Sequence, residues 1–476
     1  MTLSLAQLSR ECGVRFGTSG VRGLAEEMTD ELCWSYTRAF LQCVAPTAQR
    51  VALGMDLRPS SPRIAKACAA AIKAHGAEVV NVGVLPTPAL AYFALHYAMP
   101  AVMITGSHIP FDRNGIKFYS AQGEISKADE QAIIAAHVMR AKTFSCPPGA
   151  VNDQALYLYQ QRYARFFPQG FLQGTRIGVY QHSGVARDLL CSLLSNFGAQ
   201  VIPLGRTEDF VPVDTEAVSE ATARQGQQWA EEHRLDALVS TDGDADRPLL
   251  GDEHGTWLRG DIVGLLCARY LGARTVVTPV SSNTAIELCG WFEQVIRTRI
   301  GSPFVVGAME TGLHNRLPGV VGFEANGGFL LGSDVHREEA MLRALPTRDA
   351  LLPLLALLAM AKERAVTLSG LLADLPKRFT ASDRVENFPT ELARSLLARW
   401  AEKPQEFMQV LCLHRDACAT IDLTDGLRMT LTDGRIIHVR PSGNAPELRC
   451  YAEATSAEEV QQLVRDSILA LRSQRR

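Results

Sequence analysis

The chain has 476 residues, 47% hydrophobic and 21% charged, with a formal net charge of −3. That length leaves room for three or four domains of about 100–200 residues each, and the composition is that of an ordinary soluble globular protein. A near-neutral balance provides no overall field for nucleic acid or an anionic membrane surface, so any anion binding must come from local sites.

The start of the chain, "MTLSLAQLSRECG", lacks the basic segment and apolar core of a signal peptide. Next, "VRFGTSGVRG" (14–23) is a small glycine-rich loop carrying Arg22, where missing side chains permit close approach to a phosphate. "RVALGMDLRPSSPRIAKACAAAIKAHGAEVVNVG" (50–83) reads as strand, polar loop, helix and strand, which is a βαβ unit with parallel strands. "RIGVYQHSGVARDLLCSLLSNFGAQVIPLG" (176–205) and "RTVVTPVSSNTAIELCGWFEQVIRTRIG" (274–301) read the same way. Copies near a hundred residues apart imply three similar α/β domains rather than a tight solenoid.

Between these units lie loops with chemical potential. In "AVMITGSHIPFDRNGIKFYS" (101–120) an apolar run ends in Ser107 and His108, and Lys117 returns ten residues after the serine. Strand ends of open α/β sheets are where functional groups collect. A serine hydroxyl needs activation to attack, and His108 or Lys117 offers a base or a countercharge. A serine capping a turn is the plain alternative, and no GxSxG elbow supports a hydrolase. "LVSTDGDADRPLL" (238–250) ends a second strand in Asp242, Asp244 and Asp246. Three carboxylates so close call for a cation, and hard oxygen ligands suit Mg²⁺. Glu253 falls at position 12 of an EF-hand count, but Arg247 replaces the glycine of position 6 and Pro248 follows it. "GVVGFEANGGFLLGSD" (319–334) brings Glu324 and Asn326 out of an apolar run into glycines, where short polar groups can meet sugar hydroxyls or simply make a turn.

"ALLPLLALLAM" (350–360) falls short of the ~18 apolar residues of a bilayer span and reads as a buried helix. From 417 to 454 the pattern alternates in period two, with Asp-Gly turns at 425–426 and 433–434, and "SAEEVQQLVRDSILALRSQ" follows as a terminal helix. Within this sheet, Arg440, Ser442, Gly443 and Asn444 form a donor-rich loop that can cup a phosphate. The expected divisions are 1–155, 156–256, 257–372 and 373–476. Eleven cysteines without CxxC pairs are the usage of a reducing cytoplasm.

Taken in this order, the loops resemble the α-D-phosphohexomutase superfamily, in particular its bacterial phosphomannomutase/phosphoglucomutase members. "TGSHIP" resembles the phosphoserine loop, "DGDADR" the metal loop, "FEANGG" the sugar loop and "RPSGNAP" the phosphate loop. The resemblance implies three related mixed α/β domains and a fourth α+β domain around a central cleft. It implies an enzyme that interconverts hexose 6-phosphate and hexose 1-phosphate through a phosphoserine and a bound hexose 1,6-bisphosphate, with mannose first among the sugars. Phosphoglucomutase and phosphoglucosamine mutase activities are the alternatives, followed by a phosphatase and a non-catalytic sugar-phosphate binder. By the same resemblance Ser107 carries the phosphoryl group and joins Asp242, Asp244 and Asp246 around Mg²⁺. Lys117 and His108 move the sugar-hydroxyl proton, and Arg22 and Arg247 lie near the transferring phosphate. Arg440, Ser442, Gly443 and Asn444 hold the distal phosphate, while Ser302, Glu324 and Asn326 face the sugar. The partner is a small phosphosugar, with neither nucleic acid nor membrane, in a cytoplasmic monomer or small homo-oligomer. Six positions depart from the family pattern. Ile109 stands for asparagine, Asn326 and Gly328 for serine and often histidine, Ser302 for a frequent histidine, and Asn444 with Ala445 for Thr-Glu.

Overall fold

The computed structural model describes every residue except 1, 18, 19, 140, 142, 338, 412, 414–417, 443–445 and 476. Its chain divides into two compact units, 1–274 with 309–373, and 275–308 with 374–476.

In the first unit, the βαβ pattern at 50–83 becomes strand Arg50–Met55, helix Ser61–His75 and strand Glu78–Val84, with the strands parallel. Pro62 lies in the helix's first turn and Gly76, at φ 92°, ends it. Those are the positions where a missing N–H and a missing Cβ cost least. Strand Ala101–Ile104 joins in parallel on the other side of Arg50–Met55. It then turns back as the antiparallel strand Arg113–Ser120, which pairs with Val21–Leu24. Side chains alternate across Arg113–Ser120. Ile116 and Phe118 enter the core with Val51, Leu53, Ile64 and Ile72, so Lys117 points to the other face.

The second sheet repeats the plan. Strands Gln200–Arg206, Arg176–His182 and Ala237–Thr241 are parallel, and Pro248–Gly251 closes it antiparallel to the last of these. A third antiparallel pair, Val320–Phe323 with Phe329–Leu331, continues into Leu345–Asp349. Three hairpins of one kind therefore carry residues 105–112, 242–247 and 324–328. The apolar run at 350–360 forms part of helix Leu351–Arg364, whose first eleven residues are all buried and which packs against helix Gly260–Tyr270. Among the described residues no helix is long and apolar enough to cross a membrane.

In the second unit, strands Thr275–Pro279 and Gln294–Thr298 are parallel, as the third βαβ pattern predicts. Its helix is a single turn, Ala285–Leu288, rather than a full crossover, because the chain reaches Gly290 (φ 65°) at once. The C-terminal sheet is fully antiparallel in the order Phe379–Val385, Leu448–Ala454, Ile436–Pro441, Leu427–Leu431 and Cys418–Asp422. Gly426 and Gly434 adopt φ 88° and 86° in the Asp-Gly turns. Ser456 caps the terminal helix Ala457–Ser473 by accepting from Glu459 N, and the helix covers the sheet with Val460, Leu463, Val464 and Ile468.

Candidate active site

Ser107 follows the last residues of strand Ala101–Ile104 with φ 54°, a left-handed conformation that costs a non-glycine residue roughly 1–3 kcal/mol. Its amide donates to Thr105 Oγ1 at 2.8 Å, and its side chain is fully buried. Ser107 Oγ donates to Asp242 Oδ2 at 2.6 Å and stands 3.5 Å from His108 Nδ1. Pairing of Met103 with Lys117 places the lysine across the strand end from this loop.

The acidic hairpin brings its three aspartates together. Ala245 takes φ 58° at its tip, and Asp242 Oδ1 accepts from the amides of Asp246 (3.2 Å) and Arg247 (3.3 Å). Asp242, Asp244 and Asp246 are buried, each offering an oxygen within 4.8 Å of the others. Lys117 Nζ donates to Asp244 Oδ2 and Asp246 Oδ2, at 2.7 Å each. Asp244 Oδ2 also accepts from Thr87 Oγ1 at 2.6 Å.

Burial opposes every charge in this cluster, so the neighbours decide which charges persist. Burial and Asp246 oppose ionisation of Asp244, but Lys117 and Thr87 outweigh them and its pKa falls. Burial likewise opposes Asp246, yet Arg348, Lys117 and Arg247 hold it far below the usual carboxylate range. Asp242 goes the other way, pushed well up by burial and by the two neighbouring carboxylates. Burial works against the Lys117 ammonium, which Asp244 and Asp246 nonetheless hold in its charged form. Asp244 Oδ1 and Asp246 Oδ1 are buried and accept no hydrogen bond. Hard oxygen ligands, close repelling carboxylates and two unused lone-pair positions fit a small divalent cation.

Arg22, Arg247 and Arg348 lie around this acidic centre. Arg22 pairs with Gly115 on the strand beside Lys117, and its pKa is drawn down to about 10 by burial and by Arg247 and Arg348. Gly20 lets that loop seat tightly, since a Cβ there would lie 2.3 Å from Ile116 O. Arg247, with burial and Arg22, drives His108 far below the ordinary imidazole range, so His108 is neutral.

Glu324 lies at the end of Val320–Phe323, and its Oε2 accepts from Arg348 Nη1 at 3.2 Å. The same guanidinium donates to Asp246 Oδ2 from Nη2 at 2.7 Å and Nε at 3.1 Å. One arginine thus ties the acidic hairpin to the glycine-rich one. Asn326 turns inward, its Oδ1 accepting from Gly328 N at 2.9 Å and its backbone oxygen from Thr215 Oγ1 at 2.7 Å.

The first unit therefore gathers Ser107, His108, Lys117, Arg22, Arg247, the three aspartates and Glu324. Asn326 lies two residues along the Glu324 loop, with its side-chain oxygen turned onto that loop. The remaining candidates belong to the second unit. Buried Ser302 starts helix Ser302–His314. Arg440 Nε lies 3.2 Å from Asp425 Oδ2, and Ser442 N donates to Glu447 O at 2.8 Å. Asp425 Oδ2 also accepts from Ile300 N at 3.0 Å, which joins the Arg440 strand to the segment before Ser302. Gly443 and Asn444 lie outside the described residues.

Sequence reasoning missed Arg348, Thr87 and Arg58. Arg348 sits in "LPTRDALL", where a charged pair ends a strand, and that pairing is its sole local signal.

Profiles described as phosphoglucomutase/phosphomannomutase match four segments: alpha/beta/alpha domain I at 13–143, domain II at 164–255, domain III at 259–379, and the C-terminal domain at 382–469. A phosphomannomutase of Salmonella muenchen is 46% identical over 465 residues, covering 97% of this chain and 96% of its own. A phosphomannomutase of Sinorhizobium fredii is 47% identical over 473 residues, covering 97% and 99%. A crystal structure of a phosphoglucomutase/phosphomannomutase family protein from Burkholderia thailandensis superposes with a TM-score of 0.72 at 20% identity, covering 96% of this chain and 97% of its own. That likeness extends to the fold.

Proposed function

The chain belongs to the phosphoglucomutase/phosphomannomutase family, and on that premise we propose that it is a phosphohexomutase interconverting mannose 1-phosphate and mannose 6-phosphate through phosphorylated Ser107. The observation that carries the reading is the 2.6 Å contact of Ser107 Oγ with Asp242, inside a cluster that also holds Lys117, His108 and three arginines. Two relatives that carry the phosphomannomutase name, at 46% and 47% identity, favour mannose.

In the first half-reaction the bond between phosphorus and Ser107 Oγ breaks, and a bond forms between phosphorus and a hydroxyl oxygen of the bound hexose phosphate. The resulting hexose 1,6-bisphosphate returns its other phosphoryl group to Ser107 after turning over. Asp242, Asp244, Asp246 and a phosphoserine oxygen would hold Mg²⁺, which when bound would supply charge neutralisation at the phosphoryl group. Arg22 and Arg247 add fixed positive charge to the same place, which lowers the barrier where negative charge spreads. Lys117, with His108 close by, is the candidate for moving the sugar-hydroxyl proton, and its ammonium balances the carboxylates. Arg440, Ser442, Gly443 and Asn444 grip the distal phosphate, and Ser302, Glu324 and Asn326 face the sugar.

The divisions at 155, 256 and 372 belong to this reading, three domains each presenting one chemical hairpin and a fourth presenting the phosphate loop. The ten described cysteines are free thiols, which supports a cytoplasmic enzyme acting on small phosphosugars as a monomer or small homo-oligomer.

Coupled assays on the 1-phosphates of mannose, glucose and glucosamine, with intact-mass measurement, test the proposal. Mannose 1-phosphate should give the highest kcat/KM, and a phosphate adduct of wild type should vanish in Ser107→Ala together with turnover. Near-normal turnover by Ser107→Ala would overturn the phosphoserine assignment, and a higher kcat/KM for another sugar would replace mannose.

A further inference from the structure

Beneath the Ser107 loop lies a guanidinium whose every donor is used. Arg58 is 1% exposed and follows strand Arg50–Met55 by three residues. An arginine carries five N–H groups in a rigid planar fork. Nε donates to Asp56 Oδ2 at 3.2 Å. Nη1 donates to the carbonyls of Pro110 (2.6 Å) and Arg113 (2.9 Å), and Nη2 to those of Ser107 (2.8 Å) and Ile109 (2.6 Å). Four of the five acceptors are backbone oxygens of one loop and its exit. Asp56 is held by Ser61 Oγ at 2.6 Å and lies 3.4 Å from the Gly106 amide.

The fork is also closely covered. A Cβ on Gly106 would lie 2.6 Å from Arg58 Cζ, so the glycine peptide packs directly against the guanidinium. The guanidinium also lies over the Phe210 ring, with Cζ 4.1 Å from the centroid. Phe210 also closes on the acidic hairpin, since a Cβ on Gly243 would fall 3.0 Å from Ser107 O and 3.1 Å from the Phe210 ring. The segment carrying Phe210 is held before it by Thr207 N donating to His182 O at 3.3 Å, and after it by Val211 N donating to Ser183 Oγ at 2.8 Å and by the Thr215 bond to Asn326 O.

We propose that Arg58, stacked under Phe210, is a positioning residue that imposes the shape of the Ser107 loop and aims Ser107 Oγ at the acidic hairpin. The proposal rests on Ser107 being the phosphoryl carrier. It accounts for two observations already made. A left-handed Ser107 persists only if its surroundings over-determine it, and four carbonyls locked to one rigid fork do so. Ile109 can replace the family's asparagine because Arg58 reads the carbonyl at that position, not the side chain. Lysine cannot substitute, having three donors on a point charge and no plane to stack.

The test uses the full-length Arg58→Lys, Phe210→Leu and double variants. Steady-state kinetics are measured on whichever of mannose or glucose 1-phosphate the wild type turns over faster. Hydrogen exchange of a peptide covering 105–113 is measured in parallel. Misplacement of a reacting group by about 1 Å costs on the order of 100-fold, so Arg58→Lys should lower kcat by about 100-fold with KM within about threefold. Phe210→Leu should lower kcat by about tenfold, and the double variant should be no slower than Arg58→Lys alone, because both changes act on one clamp. Exchange in the loop should quicken by about tenfold or more in Arg58→Lys, reflecting local opening. The inference is overturned if Arg58→Lys keeps kcat within twofold, or if the two losses multiply, or if loop exchange is unchanged. If Arg58→Lys does not fold, the kcat loss and loop exchange of Phe210→Leu decide the matter by the same criteria. Wild type that carries no phosphate and turns over neither sugar, while Arg58→Lys still loosens the loop, would sink the phosphoserine reading and leave the clamp standing.

Discussion

Arg348 donates to Asp246 Oδ2 from two nitrogens while its third reaches Glu324, and all three side chains are buried. Two hairpins from different parts of the chain thereby share one cation.

Removing that cation takes from buried Glu324 its ion-pair partner and leaves Asp246 with Lys117 and Arg247. Breaking a buried pair in this way costs about 3–5 kcal/mol. Arg348→Met should lower stability by about 3 kcal/mol, near the bottom of that range, because Lys117 persists. Chemical denaturation measures it, and Glu324→Gln in the same background should recover part of the loss. Full stability of Arg348→Met would show that the ion pairs are energetically idle.

Asp244 offers one oxygen to Thr87 and Lys117 and leaves the other without a hydrogen bond. Asp244→Asn takes one charge from a three-carboxylate site, so Mg²⁺ affinity should fall by about tenfold or more while phosphosugar binding changes little. Titration calorimetry with Mg²⁺, and separately with a hexose phosphate, distinguishes the two. Unchanged metal affinity would remove the triad from consideration as the cation site.

Arg440 and Asn326 should separate affinity from selectivity. Phosphate contacts carry no information about an epimeric hydroxyl, so Arg440→Ala should weaken mannose and glucose 1-phosphates alike. Loss of a charge-assisted hydrogen bond costs about 1.5–3 kcal/mol, which is about ten- to a hundred-fold. Asn326→Ala should instead change the ratio of kcat/KM between the two sugars. A strong change of ratio in Arg440→Ala, with none in Asn326→Ala, would reverse the assignment of the loops.

His438 is buried in the C-terminal sheet, donates from Nε2 to Asp425 O, and has its pKa lowered to about 4 chiefly by burial. The unfolded chain binds this proton near pH 6.5, so between about 6.5 and 4 it holds more protons than the folded one. The stability His438 contributes is therefore full above 6.5 and drains away as pH falls through that window. Its slope cannot exceed about 1.4 kcal/mol per pH unit. Urea unfolding at pH 7.5, 6 and 5 should show the decline, and His438→Gln should flatten it. An equal slope in the variant would place the titration elsewhere.

Much of the first unit was legible because its signals are local. Parallel strand pairs at 50–84 and 176–206, the Asp-Gly turns and the terminal helix each follow from periodicity and turn chemistry within a short window. Ser107 and the three aspartates could be found because each motif is contiguous and ends an apolar strand. Arg348, Arg58 and Thr87 could not, since each reaches the site through a distant partner: Arg58 through Pro110, 52 positions away, Arg348 through Asp246, 102 away, and Thr87 through Asp244, 157 away. The short helix at 285–288 was misjudged in length because apolar spacing continues past Gly290, where the backbone turns left-handed. Hydrophobic period alone does not register such a stop.

The interleaving of the two units bears on how the chain is made. Residues 275–308 emerge from the ribosome before 309–373, yet belong with 374–476. Contacts that complete them, from Asn283 Nδ2 to Arg378 O and from Thr284 N to Glu453, engage residues from the end of the chain. At about 5–20 residues per second, the roughly 170 residues after 308 take on the order of ten to thirty seconds to synthesise. Through that interval the 275–308 segment waits without these C-terminal contacts, and a chain truncated before Glu453 deprives that segment of a partner as well as the C-terminal sheet of a strand end.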